Sequence, residues 1–220
     1  TLSYGFANAV TAILVVGTIL VLTGLPIAYH AARTGVDIDL LTRGAGFGYL
    51  GSTATSLIYA SFTFIFFALE AAILAQALEL LLGVPLELGY LINVLVVIPL
   101  VSHGFTRIGL FQTWTQPLWV ALHIAPFAAL LWLGTDLAPW FAHTGNQGDP
   151  SGAIDIVMVA AAAGVCFSLV AQIGEQVDFL RFLPEPRTRR ARVGWWIALL
   201  VAGPGWAVLG TVKMLLGSFL

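Results

Sequence analysis

The sequence predicts an all-α integral membrane protein with six transmembrane helices. Of its 220 residues, 59% are hydrophobic and only 9% are charged, whereas roughly 25% of the residues of a soluble domain are charged. The hydrophobic residues are gathered into runs, and a helix of about 20 apolar residues crosses a bilayer. Polar and glycine-rich stretches separate these runs. The six predicted helices comprise residues 6–29, 51–82, 88–101, 114–133, 154–177 and 195–219.

Length and glycine or proline content distinguish the predicted helices. The predicted helix of residues 51–82 is long enough to tilt strongly or to project beyond the bilayer, and residues 88–101 form a short helix. The segments "TGLP" and "GPG" predict kinks in the first and last helices, because membrane helices tolerate glycine and proline where neighbours satisfy the backbone. The segment "GFGYLG" matches a dinucleotide-binding pattern. It joins two membrane helices rather than following a strand, so it predicts a sharp turn instead.

The placement of basic residues predicts the orientation. If six helices alternate in direction, the first, third and fifth loops lie on one side, and they contain eight of the nine Lys and Arg residues. Short loops rich in these residues stay cytoplasmic. We therefore expect a plasma (inner) membrane location, with both ends of this chain outside. These eight residues are Arg33, Arg43, Arg107, Arg181, Arg187, Arg189, Arg190 and Arg192.

The start of the chain and its composition limit the kinds of protein and the kinds of partner that the sequence predicts. The chain begins without Met and without a signal-peptide pattern, so we expect residues 1–220 to be one transmembrane domain truncated at both ends. A net charge of -2 and the lack of a basic patch interleaved with aromatic residues argue against nucleic acid. One cysteine and four scattered histidines predict no metal site and no cofactor. The expected partners are the lipid bilayer and a small-molecule solute.

A polar stripe runs along the second predicted helix, at steps of three and four residues that place its members on one face. An aromatic ring can stack on a small planar solute, and a carboxylate can accept its N–H bonds. The alternative is a helix interface in which Ser and Thr bond and Glu70 pairs with another helix. The stripe consists of Ser52, Ser56, Tyr59, Thr63, Phe66 and Glu70.

A second polar group ends the fifth predicted helix, in "LVAQIGEQVDFLRFLP". Gln172 and Glu175 either line a path for a solute or proton or contact a neighbouring helix, because polar groups at membrane depth are costly. Asp178 and Arg181 are three residues apart and predict an ion pair at the cytoplasmic end. None of these residues forms a recognisable catalytic set.

Two segments resemble the nucleobase:cation symporter family of purine and cytosine permeases. They are "TGLPIAYHAARTGVDIDLLTRGAGFGYLGS" and "VDFLRFLP". The resemblance implies helices two to seven of a leucine-transporter-like, inverted-repeat bundle that moves its solute by alternating access.

The resemblance also implies roles for individual residues, with departures from the family. Phe66 and Glu70 occupy positions where the family has a stacking tryptophan and commonly a glutamine, and Glu175 stands where an asparagine is usual. Two carboxylates in place of amides imply a more basic solute, or proton rather than sodium coupling. The helices that hold sodium in this fold lie outside this chain, so the coupling ion is not predicted.

A second resemblance points to sensing. "GSTATSLIYASFTFIFFALEAAI" and "QIGEQVDFLRFLPE" are similar to permease-like membrane domains fused to bacterial sensor histidine kinases. This similarity implies a solute-sensing input domain with a fused cytoplasmic kinase, although no kinase motif lies in these 220 residues. Three hypotheses therefore stand: solute transport, solute sensing, and a structural membrane module without a ligand.

Overall fold

The structure, a computed structural model, describes residues 3–102, 104–136, 138–145 and 152–217. Within these ranges every regular element is helical. A π-helical turn, Arg43–Phe47, joins α2 to α3, and a 3-10 turn, Val170–Ile173, precedes α8. The ten α-helices are α1 (Phe6–Thr34), α2 (Ile38–Thr42), α3 (Gly48–Leu82), α4 (Leu86–Ser102), α5 (Phe105–Trp132), α6 (Ala138–Phe141), α7 (Ile156–Phe167), α8 (Glu175–Leu180), α9 (Arg189–Ala202) and α10 (Gly205–Gly217).

The apolar, all-helical character predicted from the sequence is confirmed. By length and composition, two described helical segments can cross a membrane: Phe6–Thr34 and the run Ile38–Leu82. Two bent pairs, α7 with the Val170–Leu180 segment and α9 with α10, add up to two more spans if each pair counts as one. The helices predicted at residues 88–101 and 114–133 are present as α4 and α5. The described residues therefore contain two to four candidate spans.

The predicted fifth helix, residues 154–177, is not continuous. α7 ends at Phe167, α8 begins at Glu175, and the two parts are bent by 48°. The Ser168 hydroxyl donates to the Val165 carbonyl at 2.7 Å, and such side-chain bonds compete with the helical ladder. A methyl group at Gly174 would lie 3.0 Å from Tyr59 Cε2. The break is therefore shaped both by local bonds and by a ring packed against it.

The predicted last helix, residues 195–219, is also broken, by 42° between α9 and α10. Pro204 has no N–H to continue the ladder, and Gly203 adopts a backbone conformation that is not helical. The kink expected from "GPG" is thus a complete break, whereas α1 continues through Pro26 as one helix. Residues 218 and 219 of this prediction lie outside the described residues.

The chain divides into two compact units. The first unit is Thr1–Tyr59 with Asp136–Leu220, and the second unit is Ala60–Thr135. In the first unit, α1 packs against α7, α8, α9 and α10. Small side chains on α1 allow this close approach, as is typical of membrane helix pairs. Its buried apolar clusters contain Ala28, Ala31, Ala32, Val177, Leu180, Trp195 and Leu199, and Ile13, Val16, Leu20, Cys166, Ile173 and Ala207.

The second unit contains the larger part of α3 together with α4 and α5. A methyl group at Gly89 of α4 would lie 3.0 Å from Ala75 Cβ of α3, so the two backbones approach closely there. The buried Asn93 Nδ2 donates to the Ala71 carbonyl at 3.1 Å. Small residues and one buried amide therefore join α3 to α4, while large apolar side chains such as Phe64 and Leu80 stay exposed.

Candidate functional site

The break between α7 and α8 lies beside α3, and a hydrogen bond joins the two. The Tyr59 hydroxyl donates to Asp178 Oδ2 at 3.0 Å. The Tyr59 ring also packs against Gly174, at the last residue before α8. Tyr59, predicted as a solute ligand, therefore lies at the break and bonds a carboxylate of the protein.

The other two predicted residues of this region follow the break in the sequence. Gln172 is half-buried in the 3-10 turn, where its backbone N–H donates to the Leu169 carbonyl at 3.0 Å. Glu175 is the half-buried first residue of α8, and its charge acts on the Tyr59 hydroxyl. Glu175 and Asp178 are one helical turn apart. Ionised carboxylates only accept hydrogen bonds, so these two side chains offer acceptors to groups that donate N–H or O–H bonds.

Gln176 is a polar residue of this region that the sequence did not single out as a ligand. Its side chain is 2% exposed, and its Nε2 donates to the Gly24 carbonyl of α1 at 3.0 Å. Gln176 Oε1 is buried and has no hydrogen-bond partner among the described residues. A methyl group at Gly203 would lie 3.3 Å from that oxygen. The Gln176 amide therefore lies where the "TGLP" segment of α1, α8 and the α9–α10 break meet.

Asp178 and Arg181, which were predicted to pair with each other, each contact another residue in the structure. Asp178 accepts from Tyr59, while Arg181 Nη1 lies 3.9 Å from Asp37 Oδ2. Asp37 also caps α2, since its Oδ1 accepts from the Leu40 N–H at 2.9 Å. α8 has only six residues and ends at Leu180. Contacts with α3 and with the start of α2 therefore determine the partners of these side chains.

The first part of the polar stripe on α3 bonds to the segment before it. Asp39 and Arg43 form an ion pair of 2.7 Å, Arg43 Nε donates to Ser52 Oγ at 3.3 Å, and Ser56 Oγ donates to Asp39 Oδ1 at 3.1 Å. The contacts of Ser52 and Ser56 thus fit the alternative of a polar interface rather than a solute site. The sharp turn predicted from "GFGYLG" is confirmed: Gly46 has a positive φ of 105°, which glycine adopts readily.

The remaining stripe residues lie in the second unit. The Phe66 ring packs against Phe62, with centroids 4.4 Å apart. Glu70 is exposed, and Thr63 is exposed one turn before Phe66. The predicted solute-binding residues are thus divided between the units: Tyr59, Gln172 and Glu175 lie in the first, and Thr63, Phe66 and Glu70 in the second.

The described residues contain no group of three or more His, Cys, Asp or Glu side chains that could hold a metal ion. Cys166 is a free thiol inside a buried apolar cluster. Comparison with protein-family models, with curated proteins and with solved structures found no match for this chain.

Proposed function

We propose that this chain is part of a permease-like membrane domain that binds a small nitrogen-containing solute at the break between α7 and α8. Transport by alternating access, six spans in a leucine-transporter-like bundle, and cytosolic arginine-rich loops belong to the same proposal. The observation that carries it is the interruption of an apolar helix at residues 168–174, beside several polar side chains. Transporters of this general kind bind their solutes at discontinuous membrane helices.

The chemistry of the break supports a solute rich in N–H groups. Glu175 and Asp178 offer carboxylate oxygens, while Tyr59 supplies a hydroxyl donor. Ionisable groups at membrane depth are costly and usually serve a partner or a pathway. A nucleobase or a similar heterocycle presents several N–H groups and a flat ring, and so suits these acceptors.

The test is the binding and uptake of radiolabelled adenine and cytosine by the full chain, purified for binding and reconstituted into liposomes for uptake. We expect Glu175→Gln to weaken binding at least about tenfold, the equivalent of about 1.4 kcal/mol. Glu185→Gln is the matched control, because Glu185 is exposed in the loop after α8. Equal binding by both variants, with normal folding, would contradict the site.

The two functional hypotheses differ in one readout. Uptake that follows binding supports transport. Saturable binding without uptake supports the sensing alternative, in which a fused cytoplasmic kinase reads the occupied state. If neither base binds, a panel of basic heterocycles is the next probe, since the carboxylates favour positive charge.

A further inference from the structure

Five arginines lie at one edge of the first unit. They belong to the end of α1, to the loop before α9 and to the start of α9, and their side chains are exposed. Within the described ranges, none of their guanidinium groups has a hydrogen bond or a carboxylate partner. The stretch from residue 183 to 192 contains a single carboxylate, Glu185. This arginine patch comprises Arg33, Arg187, Arg189, Arg190 and Arg192.

An aromatic layer adjoins the patch. The Tyr29 ring stacks on the Trp196 ring with centroids 5.8 Å apart, and Trp195 meets Trp196 edge-on at 5.2 Å. The Arg33 guanidinium lies 5.9 Å above the Tyr29 ring. Tyrosine and tryptophan concentrate at the headgroup level of membranes. Such an aromatic layer therefore suits a neighbouring patch that meets lipid phosphates.

The arginines of α9 also occupy the end of the helix where positive charge is least favourable. α9 begins at Arg189, is capped by Thr188, and has no acidic residue in its first turn. The N-terminal end of a helix carries partial positive charge and disfavours cations. Since Arg189, Arg190 and Arg192 repel one another and the helix end, an anion at this position relieves both effects.

An exposed stripe that is apolar beyond its first residue begins at Arg189 and runs along α9. Arg189, Val193, Ile197 and Leu200 follow one another at steps of four, four and three residues, which places them on one face of α9. All four side chains are exposed, and the three apolar ones are 46–58% exposed. A phosphate at Arg189 would thus continue into an apolar face along the helix. A free phosphate ion would use only the first position of this stripe.

We propose that the arginine patch binds anionic phospholipid, with the phosphate of a phosphatidylglycerol headgroup at Arg189 and Arg190 and an acyl chain along Val193, Ile197 and Leu200. Anionic lipid stabilises the start of α9 and fixes its depth beside the Tyr29–Trp196 stack. This site requires a membrane location and does not depend on the solute site at the α7–α8 break.

The test measures lipid binding to the full chain purified in a neutral detergent. Dioctanoyl phosphatidylglycerol and dioctanoyl phosphatidylcholine are titrated separately, and bound lipid is counted by native mass spectrometry. An arginine near an anionic surface contributes about 1 kcal/mol, which is roughly fivefold in affinity. We therefore expect Arg189→Gln with Arg190→Gln to weaken phosphatidylglycerol binding roughly 30-fold. Arg107→Gln, an exposed arginine of α5, should leave it unchanged.

Three further measurements separate this proposal from its alternatives. Replacing the same two arginines with lysine keeps the charge, so binding should fall only a few-fold; a loss as large as with glutamine would overturn a charge-based site. Ile197→Ser should weaken lipid binding without unfolding the chain. Equal binding of the two lipids, or full displacement of phosphatidylglycerol by equimolar inorganic phosphate, would contradict a phospholipid site.

Discussion

The Tyr59 hydroxyl donates a 3.0 Å hydrogen bond to Asp178 Oδ2, joining α3 to α8 across 119 positions of the chain. The ring of the same tyrosine lies against Gly174, at the end of the helix break. One side chain therefore both packs against the break and donates a hydrogen bond to the carboxylate beside it. A solute that displaced this hydroxyl would gain a carboxylate acceptor and would release α3 from α8.

Tyr59→Phe should destabilise the first unit while preserving its packing. A hydrogen bond to a charged group contributes about 1.5 to 3 kcal/mol, and the change leaves the half-buried Asp178 carboxylate without this donor. We expect a lower thermal midpoint for the purified full chain in detergent. Tyr49→Phe is the control, because the Tyr49 ring is 70% exposed and its contact with Arg43 is retained by phenylalanine. Equal midpoints for the two variants would contradict this assignment.

Asp37 has two functions that two substitutions can separate. Asp37→Asn removes the charge facing Arg181 but keeps a good helix cap, and the 3.9 Å pair is partly exposed. Such pairs contribute about 0–1 kcal/mol, so stability should change little. Asp37→Ala also removes the bond to the Leu40 N–H and should cost about 1 kcal/mol more. Chemical denaturation of both variants measures the difference, and a larger loss with asparagine than with alanine would refute the capping role.

Gly203→Ala should be among the most disruptive glycine substitutions in the first unit. A methyl group there would overlap the Leu199 carbonyl oxygen and lie 2.9 Å from Ala28 Cβ. Overpacking of this kind costs about 1–3 kcal/mol. A methyl group at Gly210 of α10 meets no atom within 4 Å, so Gly210→Ala should be neutral or slightly stabilising. Thermal unfolding of both variants is the measurement, and similar midpoints would show that the α9–α10 break can relax.

Most helices were predictable from the sequence, because a long run of apolar residues indicates a membrane helix without any knowledge of its neighbours. The breaks within the helices were harder to predict. Membrane helices accept single glycines and serines, and nothing local distinguishes Gly174 from a glycine inside a continuous helix. The packing of Tyr59 against Gly174 is a contact between distant segments, and sequence spacing carries no information about it.

Side-chain partners were predictable only where they are local. The pair Asp39–Arg43 follows the four-residue spacing of a helix, whereas Asp178 and Arg181 follow a similar spacing and yet have other partners. In the sequence, Gln176 was one of several polar residues at the end of the fifth predicted helix. Its burial against Gly24 depends on α1 packing over α8, so its importance appears only in three dimensions.

Glu70→Gln should weaken solute binding while leaving the fold intact. Under the proposed permease-like function, Glu70 occupies a position that bonds the solute, and charge-assisted hydrogen bonds are roughly twice as strong as neutral ones. We expect about a tenfold loss of adenine or cytosine affinity in the full chain, with an unchanged thermal midpoint. Glu79→Gln is the matched control, because Glu79 is exposed further along α3. Unchanged affinity with Glu70→Gln would favour a structural role for this carboxylate.

A cysteine placed at Arg189 should be labelled by a membrane-impermeant maleimide only from the cytosolic side. The arginine-rich loops are expected in the cytosol because short basic loops are not translocated. The native thiol, Cys166, is buried and is first replaced by alanine. Ala142→Cys is the opposite control: Ala142 is exposed just after α6, in the loop expected outside. Labelling both positions in intact spheroplasts and in inverted vesicles gives complementary patterns if this orientation holds, whereas labelling of Arg189→Cys in intact spheroplasts would reverse the orientation and place the arginine patch against the outer leaflet.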